Sequence, residues 1–255
     1  MTEQEKNEEL RAYIELWGYR RFRKALDQSI QPLLNSLKES NSIGFTYALQ
    51  ALLYNSQPVD ESVREFYEFA WYQQSDSFVN WANTTYNAGL IKNDPYMKRM
   101  LSEYYSTIGI QHSKIINDTS RRRIDEAFKA AFANNESVTD FEKRLVQEVQ
   151  MNKSRARIIS RTESVMLLNK VMIENAQLLP FQVNKIWIHD HPNVPRNWHL
   201  ALNNTKKPLM IPFDVLGIPM QYPGDPIGGP ENNIGCKCSM LIVPRKDEDG
   251  NLIYS

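Results

Sequence analysis

Apolar residues recur at helical spacing through the first 150 residues. Between residues 4 and 38 they return every three or four positions with charged residues between them, which predicts one long amphipathic helix. The same pattern predicts helices over 43–54, 62–86 and 94–109, and two more that begin near Asn117 and Ser137. This part of the chain is therefore predicted to consist of helices joined by short loops.

Polar residues mark where several of these helices should begin. Ser62 and Glu65 match the capping-box pattern, so the third helix is predicted to begin at Ser62, after Pro58 has ended the second. Side-chain oxygens near Asn117 and Ser137 are expected to accept hydrogen bonds from the first free backbone N–H groups of the next two helices.

The clearest helical periodicity lies between residues 154 and 179, and the chain changes character after Pro180. The apolar runs 185–189 and 236–243 predict strands, and 195–202 predicts a helical turn. Prolines and glycines crowd the segment between the turn and the second strand, which excludes long regular elements there.

These patterns predict an α+β protein. A mainly helical N-terminal region, 1–150, should be followed by a small mixed α/β domain with few short strands, 151–255.

Four basic residues stand between 151 and 161 with no acidic residue among them. Lys153, Arg157 and Arg161 follow at intervals of four and so share one helical face, and Arg155 adds a fourth positive charge. These four residues form the most basic surface that the sequence predicts.

Net charge and the distribution of apolar residues limit which partners and which cellular compartment the sequence indicates. The 255 residues include 30 basic and 30 acidic ones, so net charge does not indicate a polyanion-binding protein, and a local patch has to carry any such function. No run of about eighteen apolar residues occurs, and the N-terminus is polar and acidic. We expect no membrane span, no signal peptide and a reducing cytoplasm.

The chain has two cysteines, Cys236 and Cys238, separated by one residue. In a strand they would face the same side as Met240 and Ile242, which predicts that they pack in a core. Two thiolates at this spacing can also chelate zinc with His199 or another histidine, and a redox pair is a further alternative. We predict no metal and no cofactor; His199, Cys236 and Cys238 are the candidate ligands if a metal is bound.

Three of the four histidines fall between 189 and 199. His189, Asp190 and His191 offer the residue types of a hydrolytic metal site, but neighbouring positions of a strand face opposite sides, so we interpret them as surface or hydrogen-bonding residues. Further along, the tetrapeptide Tyr222–Asp225 (YPGD) predicts a tight turn. No phosphate-binding glycine loop or nucleophile-elbow motif occurs.

Four segments of the C-terminal part follow one another: ARIISRTESVMLLNKVMIENA (156–176), PRNWHLALN (195–203), PFDVLGIPMQYPGDP (212–226) and CKCSMLIV (236–243). This succession resembles the phage Mu protein F-like family of minor head, or head morphogenesis, proteins. The matching positions are Arg161, Thr162, Glu163, Arg196, His199, Tyr222, Pro223, Gly224, Asp225, Cys236 and Cys238. Gly235 and Lys237 stand where the family often has Asn and Arg.

The resemblance implies a structural virion component without enzymatic activity, located in the phage head or at the portal vertex and assembled in the host cytoplasm. It implies the portal protein and the capsid and scaffold proteins as partners, with region 1–150 docking to them, and a role with DNA during packaging or ejection. In that role Lys153, Arg155, Arg157 and Arg161 are expected to contact the phosphates of double-stranded DNA without sequence preference. The alternative is that they pair with acidic residues of neighbouring helices.

An enzyme is the alternative interpretation. A metal-dependent hydrolase would use His189, His191, His199 and the two cysteines, whereas an ADP-ribosyltransferase-like domain would use Arg161 and Glu163 on a nucleotide. Toxin modules follow Mu F-like domains in some chains. Because this sequence ends soon after the cysteine strand, we expect no such module.

Overall fold

A computed structural model describes residues 2–190 and 195–254, with the side chains of all of these except 148–151. The α-helices in these ranges are α1 (Glu3–Ser40), α2 (Ile43–Leu53), α3 (Gln57–Tyr86), α4 (Pro95–Tyr104), α5 (Ile110–Ala133), α6 (Val138–Ala176), α7 (Asn197–Ala201) and α8 (Gly229–Asn233). A π-helical segment (Tyr105–Gly109) joins α4 to α5, and a 3-10 helix (Pro226–Gly228) precedes α8. The strands are β1 (Val183–Ile188), β2 (Lys206–Pro208), β3 (Phe213–Val215), β4 (Ile218–Met220) and β5 (Ser239–Pro244). The predicted α+β class is confirmed.

Two predicted helix starts are wrong. Helix α3 begins at Gln57, before Ser62, and Pro58 lies in its first turn. Proline is tolerated there because the N–H groups of the first turn have no acceptor within the helix, so its missing N–H costs no hydrogen bond. Asn117 lies inside α5 and does not cap it. Its side chain donates to Asp60 at 2.9 Å and accepts from the Tyr54 hydroxyl at 2.8 Å, so a tertiary contact uses the groups that the sequence assigned to a cap.

Helix α6 begins where the sequence predicted. The hydroxyl oxygen of Ser137 accepts from the backbone N–H of Asp140 at 3.1 Å, as an N-cap residue does. The helix then continues to Ala176, so the predicted helices 138–150 and 154–179 are one element.

The strands form two small antiparallel sheets. The larger has the order β2-β1-β5, with Lys185 opposite Ile242 and Trp187 opposite Met240, and β3 pairs with β4 in a separate hairpin. The predicted strand at 185–189 is confirmed as β1. The predicted strand at 236–243 begins at Ser239, so Cys236 and Cys238 precede β5, although the expected alternation of burial extends back to both cysteines.

The chain divides into two compact units made of alternating segments. Unit 1 contains the residues up to Glu15, Tyr67–Glu103 and the residues from Ile158 onward, and unit 2 contains Leu16–Phe66 and Tyr104–Arg157. The boundary expected near residue 150 lies within the continuous helix α6. The division into functional regions 1–150 and 151–255 stays a prediction.

Each unit has its own apolar core. The core of unit 2 is formed mainly by α1, α5 and the start of α6, around Leu33, Leu37, Phe128 and Phe141. Unit 1 holds two clusters. One lies between α3, α6 and the larger sheet, and the other surrounds Trp187. Among the described helices, none has the apolar length that crossing a membrane requires.

Candidate functional site

The Arg-Thr-Glu motif lies on the buried part of α6 in unit 1. The Thr162 hydroxyl donates to the backbone carbonyl of Ile158 at 2.8 Å and accepts from the backbone N–H of Gly235 at 3.0 Å. Glu163 is 4% exposed and accepts from the Tyr67 hydroxyl at 2.7 Å. The motif thus ties α6 to α3 and to the segment that leads into the cysteines.

The predicted turn at Tyr222–Asp225 is confirmed, since the backbone N–H of Asp225 donates to the carbonyl of Tyr222 at 3.0 Å. Gly224 has φ +84° and lies against α6, where an added Cβ would stand 3.0 Å from the backbone N and Cα of Met166. Only glycine combines this backbone conformation with so close an approach.

Asn169 of α6 joins the same turn to the cysteine segment. Its side-chain amide donates at 2.9 Å to the carbonyl of Pro223 and lies 3.5 Å from the carbonyl of Cys238. Asp225, the last residue of the turn, accepts from the backbone N–H of Gln221 at 2.7 Å. The turn is therefore held on both sides by polar contacts.

Arg196 and His199 of the motif lie at the start and on the buried side of α7. The Arg196 guanidinium donates to the carbonyls of Glu231 and Ile234, each at 2.7 Å. Because these carbonyls lie in α8 and just after it, Arg196 joins the two short helices.

The most concentrated group of reactive side chains is a buried cluster of one histidine and two thiols. His199 Nδ1 lies 3.6 Å from Cys236 Sγ and 3.6 Å from Cys238 Sγ. All three residues are at most 3% exposed, and neither thiol is in a disulfide. Their ligand atoms lie within 4.8 Å of one another, which makes them the one group in the described part of the chain arranged to hold a metal ion. We call this group the His-Cys-Cys cluster.

The two thiols of the cluster differ in acidity. The pKa of Cys236 lies well below the ordinary thiol value, because Cys238 hydrogen-bonds its sulfur and His199 lies beside it. The pKa of Cys238 is raised, because its proton is shared with the Cys236 sulfur and because it is buried. The pair therefore favours one thiolate, located on Cys236.

Asn232 of α8 orients the histidine. Its Oδ1 accepts from Trp198 Nε1 at 2.9 Å and lies 3.2 Å from His199 Nε2, while its Nδ2 donates to the carbonyl of Gly228 at 2.8 Å. Because Oδ1 is the acceptor, Nε2 carries a proton; in the neutral ring the lone pair is then on Nδ1, the nitrogen that faces the two sulfurs.

Of the residues proposed for a hydrolytic site, His199 and the two cysteines lie together in the His-Cys-Cys cluster, whereas His189 and Asp190 make other contacts. The backbone N–H of His189 donates to Asn203, and Asp190 lies 3.3 Å from Arg11 Nη2 and 3.9 Å from Lys237 Nζ. His191 lies outside the described residues.

The four predicted DNA-contacting residues differ in environment. In unit 2, Lys153 and Arg157 are exposed, and Arg157 lies over the Tyr19 ring at 5.4 Å. Arg155 instead turns into the unit and donates to Ser120 Oγ at 2.7 Å and to the carbonyl of Ile116 at 2.6 Å. Burial, with the neighbouring charges of Arg123 and Arg122, lowers the pKa of Arg155 to about 10.

Arg161 belongs to unit 1, where its Nε lies 3.7 Å from Glu15 Oε2. The alternative, that these residues pair with acidic residues of neighbouring helices, describes Arg161, whereas Arg155 is held by a hydroxyl and a backbone carbonyl.

In unit 2, Lys153 and Arg157 lie beside a second set of basic residues, on α1. Arg20, Arg23 and Lys24 are exposed and line a groove with Tyr19 and Asp27. Arg157 covers the ring of Tyr19, and the charge of Lys153 acts on Asp27. We call Arg20, Arg23, Lys24, Lys153 and Arg157 the basic groove.

Sequence reasoning missed three side chains that organise the cluster and the turn: Asn169, Trp187 and Asn232. Asn169 interrupts the apolar stripe of α6, and a polar residue at a core position is a sign of a specific partner. Asn232 and Trp187 gave no comparable signal, because asparagine is common in turns and tryptophan in strands.

No protein-family model, curated protein or solved structure matches this chain.

Proposed function

We propose that this chain is a minor head protein of a tailed bacteriophage or prophage, of the Mu F-like type, which binds the portal vertex and DNA during head assembly, packaging or ejection. The observation that supports the proposal is that the segments of the resemblance lie close together in space. The four segments of the resemblance are separated along the chain, yet their motif residues contact one another or shared neighbours in unit 1.

The contacts link every segment to another. Thr162 accepts from Gly235, next to the cysteines, and Met166 lies against Gly224 of the turn. His199, from the second segment, faces Cys236 and Cys238 of the fourth. A set of unrelated short matches would have no reason to assemble in this way.

The same contacts favour a structural role over an enzyme. Glu163, which an ADP-ribosyltransferase would direct at its nucleotide, is buried and accepts from Tyr67. Thr162, His199 and both cysteines are likewise buried. Because the motif residues make hydrogen bonds inside the fold, they support a structural module in which these residues stabilise the fold.

The DNA contact is assigned to the basic groove of unit 2. Arg20, Arg23 and Lys24 line the groove together with one carboxylate, that of Asp27, and Lys153 and Arg157 lie beside it; none of the five forms an ion pair within 4 Å in the described chain. Such a surface binds phosphates without reading bases, and its affinity falls steeply with salt because bound counterions are released.

Association with the portal tests the proposal directly. The tagged chain is produced together with the portal protein of the same phage genome, the complex is isolated, and purified particles are examined by quantitative mass spectrometry. We expect the chain to co-purify with the portal and to be present in few copies per particle. A chain absent from particles and unable to bind the portal would refute the proposed function.

A turnover assay addresses the enzyme alternative. The protein is incubated with NAD and with nucleotide and peptide substrates, and products are measured by mass spectrometry. Turnover that disappears in a folded Glu163→Gln or His199→Gln variant would replace the structural role by a catalytic one.

A further inference from the structure

The distances in the His-Cys-Cys cluster match those around a tetrahedral zinc ion. With zinc–sulfur bonds of about 2.3 Å and zinc–nitrogen bonds of about 2.0 Å at tetrahedral angles, a sulfur and a nitrogen ligand lie about 3.6 Å apart. His199 Nδ1 lies 3.6 Å from each of the two sulfurs. Two of the three edges of one tetrahedral face therefore already have the length that zinc requires, and all three ligand atoms lie within 4.8 Å of one another.

The groups around the sulfurs suit thiolates. The backbone N–H of Cys238 donates to Cys236 Sγ at 3.4 Å. The indole Nε1 of Trp187 is buried and makes no regular hydrogen bond in the described chain, although it lies close enough to Cys238 to interact with its sulfur. A buried N–H group without an oxygen acceptor is costly, and a negatively charged sulfur offsets that cost.

His199 is oriented as a metal ligand. Asn232 Oδ1 accepts a hydrogen bond from the protonated Nε2, so in the neutral ring the lone pair is on Nδ1, which lies 3.6 Å from both sulfurs. Metal-binding histidines are usually fixed by a hydrogen bond from the second ring nitrogen in this way. The ring also packs edge-on against Trp187, with centroids 5.3 Å apart.

We propose that His199 Nδ1, Cys236 Sγ and Cys238 Sγ bind one Zn²⁺ ion, with the fourth position taken by a water molecule or another oxygen, nitrogen or sulfur donor. A mixed set of two thiolates and one imidazole is typical of zinc, and binding releases the thiol protons to solvent. This inference does not depend on the proposed function.

The surrounding fold indicates what the ion does. The apolar cluster around Trp187 is small, and apart from β1, which carries Trp187, the strands and helices that contribute to it are β3 and β4 of three residues each and α7 of five. Small cores of short elements are commonly stabilised by a metal. The zinc joins α7 to the segment before β5, so it holds together parts of the chain that few backbone hydrogen bonds connect.

Metal analysis of the full-length protein tests the proposal. The protein is purified without a metal-binding tag, its bound metals are measured by multi-element mass spectrometry, and a metal-free sample is refolded with Co²⁺. We expect one zinc per chain and cobalt absorption bands characteristic of tetrahedral sites with thiolate ligands. Protein without stoichiometric metal, and without thiolate-to-cobalt bands, would overturn the proposal; stoichiometric binding of a different metal would overturn its assignment to zinc.

Variants separate zinc binding from simple packing. Cys236→Ala, Cys238→Ala and His199→Gln should each lose zinc, whereas His112→Gln, which alters a histidine outside the cluster, should retain one zinc per chain. If the cysteines only pack, chelator will leave the melting temperature of the wild-type protein unchanged. If they bind zinc, chelator will lower it and added zinc will restore it. This measurement on the wild type stays decisive even if a variant fails to fold.

Discussion

Asn232 determines which nitrogen of His199 carries the proton. Its Oδ1 lies 3.2 Å from His199 Nε2, and because its Nδ2 is committed to the carbonyl of Gly228, the amide cannot be reversed without losing that bond. The chemistry available at Nδ1 is therefore set by a residue of another short helix.

The first prediction concerns this pair. Asn232→Leu removes the acceptor, so zinc affinity should fall by about 10–100-fold, the range typical of residues that orient a metal-bound histidine. Asn232→Asp retains the acceptor toward Nε2 but, like Asn232→Leu, loses the donor to the carbonyl of Gly228, so it should bind zinc more tightly than Asn232→Leu. Competition with a chromogenic chelator measures both constants, and circular dichroism monitors folding. Equal affinities for the two variants would contradict the role given to Asn232.

The second prediction concerns the turn that packs on α6. Gly224 and Gly217 have φ +84° and +83°, but only at Gly224 would a Cβ meet neighbouring atoms, the backbone of Met166. Gly217→Ala should therefore cost only the conformational strain, about 1 kcal/mol. Gly224→Ala should cost at least about 1 kcal/mol more, because backbone cannot move aside as a side chain can. Urea unfolding compares the two, and similar losses would show that the close contact is unimportant.

The third prediction tests the buried contact between α3 and α6. Tyr67→Phe removes the hydroxyl that donates to Glu163 at 2.7 Å and should lower the free energy of unfolding by about 1–3 kcal/mol. Tyr13→Phe is the control, since Tyr13 is 53% exposed and its change should stay within about 0.5 kcal/mol. Chemical denaturation gives both values. If Tyr67→Phe lowers the free energy of unfolding no more than the control does, the contact does not stabilise the fold.

The fourth prediction is a pH dependence caused by Lys185. This residue is fully buried, and its Nζ donates to the backbone carbonyl and to the side-chain Oε1 of Gln221, both at 2.7 Å. Burial lowers the pKa of Lys185 from 10.5 to about 8, despite the opposite influence of Asp225.

The sign follows from the number of protons bound. Between pH 8 and 10.5 the folded protein has lost the Lys185 proton while the unfolded chain still holds it, so the free energy of unfolding contributed by this group rises with pH. Compared with Lys185→Met, the wild-type protein should gain stability over that interval, by up to about 3 kcal/mol. Urea unfolding of both proteins at several pH values checks this. Curves that stay parallel would mean that Lys185 titrates normally.

The fifth prediction separates the groove from the neighbouring buried arginine. Lys153→Gln with Arg157→Gln should weaken binding to duplex DNA and reduce the salt slope by about 0.9 for each lost phosphate contact, with little change in stability. Arg155→Met should leave DNA affinity unchanged and destabilise the protein by about 1–3 kcal/mol, since two buried hydrogen bonds are lost. Fluorescence anisotropy at several salt concentrations and thermal melting distinguish the two variants. The reverse result would place the DNA contact at Arg155.

Much of the secondary structure follows from local sequence. Helix α1 and strand β1 could be predicted because each repeats one apolar spacing over its length, and the turn at Tyr222–Asp225 because proline and glycine restrict the backbone locally. The starts of α3 and α5 could not, because Ser62 and Asn117 have capping chemistry wherever they stand. Their neighbours in space decide whether that chemistry is used.

The candidate site divides in the same way. By itself, the sequence determined the residue types and their order: a histidine, two cysteines one residue apart, a glycine turn and a run of positive charges. Only the tertiary structure decided that His199 meets both cysteines, that Arg155 turns inward while Arg157 stays exposed, and that α1 contributes cations to the basic groove. The physical reason is the distance along the chain over which each effect acts. Backbone preference depends on a few neighbouring residues, whereas ligand geometry, burial and charge depend on segments that only folding brings together.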